Sequence, residues 1–105
     1  MLLDKIGIPL TQAHDKVYHY NAPRRTAPPY ICWAEDGTKD FLADGRHGEK
    51  GWTGTTDLFT KTENDPLIPL IEKGMECPGV AWYLNSVQYE TETGLIHYEW
   101  AWEVI

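Results

Sequence analysis

The chain has 105 residues, 42% hydrophobic and 24% charged, which is the make-up of one ordinary globular domain spanning residues 1–105. Sixteen Asp and Glu against nine Lys and Arg leave a net charge of −7, and Arg24-Arg25 is the one adjacent basic pair. Phosphate binding needs basic clusters, so this balance argues against a dedicated nucleic-acid binder and an anionic membrane surface as partner, and leaves room for an acidic surface that faces DNA without gripping it. No apolar run approaches the roughly 18 residues of a membrane-spanning helix. Asp4 interrupts the apolar start before a secretory leader can form, so the expected compartment is the cytoplasm.

In chain order, Leu2, Leu3 and Ile6 share one face of a single helical turn, which Gly7 and Pro9 are expected to end. Lys16 to Tyr20 is rich in β-formers and reads as a short strand. Asn21 to Pro29 holds three prolines and the arginine pair, so it reads as irregular or polyproline-like. Tyr30 to Ala34 forms a compact strand, closed by the turn signal Glu35-Asp36-Gly37-Thr38, with Phe41-Leu42-Ala43 pairing back across it. The stretch Asp44 to Gly51 combines three glycines with charged side chains and reads as a mobile loop or broad hairpin tip. In Trp52 to Thr60 the threonines favour a strand, with Thr53, Thr55, Asp57 and Phe59 on one side and Gly54, Thr56, Leu58 and Thr60 on the other.

Asn64-Asp65-Pro66 opens a helix whose stripe is Leu67, Leu70, Ile71 and Met75. Pro69 removes a hydrogen bond near its start, so the helix is expected to begin late or as a tighter turn; Cys77-Pro78-Gly79 ends it. Val80 to Glu90 and Ile96 to Val104 read as a C-terminal hairpin around the turn Thr91-Glu92-Thr93-Gly94. Strict alternation of Ile96, Tyr98, Trp100, Trp102 and Val104 with more polar residues makes this the clearest signal in the chain. A continuous register places Tyr89 opposite Ile96, Val87 opposite Tyr98 and Tyr83 opposite Trp102. The resulting fold class is α+β: an antiparallel or mixed sheet with a C-terminal β-hairpin and one or two short helices packed on one face.

Five Trp, six Tyr and two Phe exceed what one small core hides, and the surplus points to an assembly surface. The residues carry little chemistry. Asp44, His47 and Glu49 stand close together, and His97 alternates with Glu99, but neither set has a zinc-site spacing. Ser86 has no nucleophile elbow around it, and Cys32 and Cys77 read as reduced thiols with no redox or metal spacing. Glu99 and Glu103 read as a solvated strand face, and the glycines follow no phosphate-cradling pattern. The expectation is a non-enzyme with no cofactor and no metal.

An ordered set of pieces carries a family resemblance: Gly7-Ile8-Pro9, Val17-Tyr18-His19-Tyr20, Pro29 to Glu35, Ala43-Asp44-Gly45, Thr56 to Lys61, Ile71-Glu72, Tyr89-Glu90 and Ile96 to Trp100. In that order they resemble the tail completion, or tail terminator, proteins encoded among the head-to-tail joining genes of phages and prophages of Gram-positive bacteria. The resemblance implies a hexameric ring of identical subunits at the end of the tail tube, touching the tail tube protein and the head connector. It implies work by shape alone, first in the bacterial cytoplasm and then at the virion's head-tail junction, with DNA passing an acidic lumen without being gripped. On that reading the subunit contacts are expected at Arg24, Arg25, Asp44, Arg46, His47, Glu49 and Lys50, which project from the sheet. Two alternatives stand beside it: another connector component, adaptor or stopper, and a small aromatic-rich binding module.

Overall fold

The computed structural model describes the backbone of residues 1–43 and 46–105 and the side chains of residues 1–39 and 51–105. Its elements are α1 (Asp4–Ala13), β1 (Val17–His19), β2 (Tyr30–Ala43), β3 (Arg46–Thr60), α2 (Leu67–Gly74), β4 (Val80–Glu90) and β5 (Leu95–Val104). The strands form one five-stranded sheet in the order β1-β2-β3-β5-β4. β1 runs parallel to β2 and every other pairing is antiparallel, so the sheet is mixed. The α+β class and the C-terminal hairpin are those the sequence predicts. Among the described residues no helix is long and apolar enough to cross a membrane.

Both helices supply the same core. Leu3, Ile6 and Leu10 beside α1 and Leu67, Ile71 and Met75 beside α2 meet Ile31, Leu58, Trp100, Trp102 and Val104 of the sheet. Each such side chain, fully buried, contributes roughly 1.5–3 kcal/mol before entropy is counted. Directly paired residues of neighbouring strands point to the same side, so the Ile31–Leu58 and Thr56–Trp100 pairings put these residues on one face. Among the described residues the opposite face, with Cys32, Asp57, His97 and Glu99, carries no helix.

Three expectations are corrected. The first helix does not stop at Gly7 and Pro9; it runs ten residues through both. The spacing of Leu3, Ile6 and Leu10 buries a stripe that offsets the bond Pro9 removes. Gly7 is the point where the ring of Trp33 meets the helix, since an added Cβ would lie 2.7 Å from it.

The second correction concerns Glu35 to Thr38. β2 passes straight through this turn signal, and a register shift between Glu35 and Gly37 absorbs it as a bulge. Phe41-Leu42-Ala43 therefore continue β2 instead of folding back on it, with Leu42 paired to His47 and Ala43 to Arg46. The predicted loop over residues 44–51 shrinks accordingly: Arg46 to Gly51 belong to β3, while Asp44 and Gly45 lie outside the described residues. Backbone pairing with β2 holds this glycine-rich stretch extended whatever its weak strand propensity.

The third lies in the hairpin. Tyr89 does face Ile96 and Val87 does face Tyr98, but a shift between Leu84 and Ser86 leaves Asn85 unpaired. Beyond this bulge Trp82, not Tyr83, faces Trp102, and Leu84 faces Trp100. The bulge sends the indole of Trp82 to the core side and Tyr83 to the open face.

Candidate functional site

The arginine pair sits on an irregular strap between β1 and β2. The strap is tied down by Lys16 Nζ donating to the Ala27 carbonyl at 2.9 Å and by a turn in which the Thr26 backbone N–H donates to Pro23. Tyr20 and Arg25 enter the left-handed region, at φ of 78° and 63°. Such conformations cost non-glycine residues of order 1–3 kcal/mol and persist where the surroundings hold them. Arg24 and Arg25 are both exposed. Among the described residues neither guanidinium has a hydrogen-bond or ion-pair partner.

Of the other expected contact residues, Asp44 lies outside the described residues. The backbone of Arg46, His47, Glu49 and Lys50 is on β3, and their side chains lie outside the described residues. These four belong to a two-stranded arm. The pairing of β3 with β5 begins at Trp52, whereas its pairing with β2 continues through Lys39–Gly51 and Asp40–Lys50 to Ala43–Arg46. At about 3.3 Å per residue the arm extends roughly 20 Å beyond the sheet. The molecule measures 50 × 25 × 23 Å.

Beneath the strap, on the open face, is a cavity of about 610 Å³. Its floor and wall include Tyr30, Cys32, Asp57, Phe59 and His97. Tyr30, Phe59 and His97 stack in a row, with centroids 4.9 and 4.3 Å apart. His97 Nε2 lies 2.7 Å from Asp57 Oδ1, and the Thr55 hydroxyl donates to Oδ2 of the same carboxylate. The bond to Asp57 holds the His97 imidazolium above its ordinary range, although burial opposes this. Burial pushes the Cys32 thiol up, so at neutral pH it is a protonated thiol and not a thiolate nucleophile. Among the described residues no hydrogen bond joins Cys32 to His97. The cluster can therefore clamp β3 to β5 and offer donors to a guest, but it lacks an activated nucleophile. Sequence reading did not bring these residues together, because a sheet register decides that Asp57 neighbours both Cys32 and Glu99.

A second cluster closes the β1 side. The His19 ring is sandwiched between Tyr20 and Trp33, with centroids 4.0 and 3.9 Å away. Its Nε2 lies 2.6 Å from Glu35 Oε1. Burial alone would raise the Glu35 carboxyl, yet its own backbone N–H, His19 and Tyr20 hold it below the usual range. Among the described residues no group of three His, Cys, Asp or Glu converges as a metal site.

The third feature is β4, an outer strand of the sheet. Its Leu84, Val87 and Tyr89 pair with Trp100, Tyr98 and Ile96, so the bulge at Asn85 gathers them on the helix-bearing face. All three are exposed, Tyr89 at 65%. Tyr83, on the other face, is exposed as well. The surplus aromatics thus divide by type. Among the described residues Trp100 and Trp102 are buried and Trp33, Trp52 and Trp82 pack against the core, whereas the exposed aromatics are Tyr20, Tyr83 and Tyr89. No family model matches the chain, and no curated protein matches it either.

Proposed function

We propose that the chain is a structural subunit of a tailed phage or prophage particle, a tail terminator or tail completion protein. Copies close as a hexameric ring on the end of the tail tube and present a surface to the head connector. The observation that carries this reading is the pairing of a protruding two-stranded arm with an outer strand bearing exposed Leu84, Val87 and Tyr89. A strand pair that extends past the last β3–β5 pairing and an apolar strand edge are both features that a neighbour has to cover. Ring closure needs a heterologous contact repeated by a rotation that closes, and the sheet supplies unlike surfaces on its two sides. A net charge of −7 suits a lumen through which DNA slides without adhering. The order of sequence pieces that resembles the tail terminators supports the same assignment. Assembly in the host cytoplasm and residence at the head-tail junction follow from it.

The cavity under the strap favours a second reading, a small binding module with an aromatic wall. Deleting the gene from the phage or prophage that encodes it decides between them. Overlong tails in electron micrographs are expected for a terminator, and separated heads and tails for an adaptor or stopper. Normal virions overturn both assembly roles.

A further inference from the structure

The two long sides of the sheet differ in chemistry in a complementary way. On the β1 side, Ile8 and Tyr20 are exposed apolar groups, and the strap adds Arg24 and Arg25. In a chain with sixteen carboxylates, these two adjacent guanidiniums find no acid of their own among the described residues. On the β4 side, Val87 and Tyr89 are exposed, and the strand runs into the turn that carries Glu92. Glu92 is exposed and likewise has no partner among the described residues. Each side therefore offers an apolar patch beside an uncompensated charge, and the charges are opposite.

Resting on the ring reading above, we infer that the β4 side of one copy seats against the β1 side of the next. Tyr89 and Val87 pack toward the neighbour's Tyr20, and Glu92 pairs with the neighbour's Arg24 and Arg25. A symmetric contact between two β4 edges leaves both arginine pairs uncompensated. A head-to-tail contact sets one carboxylate against one arginine pair at every interface. Because β1 and β4 bound the same sheet, the contact repeats around the assembly and specifies its direction. Opposed charges fix partner and register here more than they add affinity.

The test uses plasmid copies in a host carrying the gene-deleted phage. A wild-type copy first restores particle yield; if deletion causes no defect, the tail reading itself fails. Arg24→Glu with Arg25→Glu in one copy, or Glu92→Arg in another, is expected to lower the yield at least about tenfold when supplied alone. Supplying both variants together lets the two alternate, with opposed charges at every interface, and is expected to restore it. Thermal melts matching wild type show that each variant folds. If either reversed variant complements like wild type, or if the co-supplied pair fails to rescue, the head-to-tail contact is overturned while the tail reading stands.

Discussion

Gly54 sits where the Ala34 carbonyl and the Trp102 ring both crowd the place a Cβ would take. Any Cβ there collides with both, and the ring is held in place because its Nε1 donates to Thr56 Oγ1 at 3.0 Å. Gly54→Ala should therefore displace Trp102 and lower stability by about 3 kcal/mol, read from denaturant midpoints. His97 makes a different residue-level prediction. Its partner Asp57 raises its pKa in the folded state, so the pair's stabilisation is complete below the ordinary value near 6.5 and is lost as pH rises through the raised value. Wild type should lose stability over that interval, and Asp57→Asn should flatten the loss. Urea titrations at about pH 5.5 and about pH 8.5 compare the two slopes.

At the scale of elements, the start of α2 shows how a capping residue joins two pieces of structure. Asp65 is 5% exposed; its Oδ1 accepts the Leu67 N–H at 2.8 Å and its Oδ2 accepts the Thr60 hydroxyl at 2.6 Å. Asp65→Ala removes the cap and leaves the buried Thr60 hydroxyl accepting from the Thr62 N–H but with no acceptor for its own proton, a loss of about 2–3 kcal/mol in a thermal or denaturant melt. This junction was legible: Asn64-Asp65-Pro66 announces a helix start, and the late beginning at Leu67 makes Pro69 harmless because its missing N–H falls in the first turn. The C-terminal hairpin was legible for a similar reason, since burial on one face imposes period two on Ile96 to Val104. The first helix was misread because Gly7 and Pro9 are local breakers, whereas the gain from burying Ile6 and Leu10 against the sheet is tertiary. The bulge at Asn85 was missed for the same cause. Its local mark is only the polar pair Asn85-Ser86, while the reason for it is that Trp82 must meet Trp102.

For the whole molecule, strand order decides which surfaces exist, and strand order is not written in any local pattern. The charge pair Arg24-Arg25 stood out in the sequence because it is the one adjacent basic pair in an acidic chain. That Val87 and Tyr89 are exposed follows only once β4 is known to lie outside β5. The arm was read as a loop because three glycines and a run of charged residues fill Asp44 to Gly51, while the register that pairs its strands is not a local pattern. The arm's position past the last β3–β5 pairing yields the last prediction. Among the described residues the core cluster and its packed rim take Ile31 and Trp33 from β2 and Trp52 and Leu58 from β3, all outside residues 41–49. Replacing residues 41–49 by Asn-Gly should therefore leave a folded domain, with stability changed by less than about 1 kcal/mol, since shortening a connection alters closure entropy only slightly. The same variant, supplied to the gene-deleted phage, should fail to restore particles. A large drop in melting temperature would make the arm part of the folded core, and full complementation with an unchanged melt would remove it from the assembly contacts.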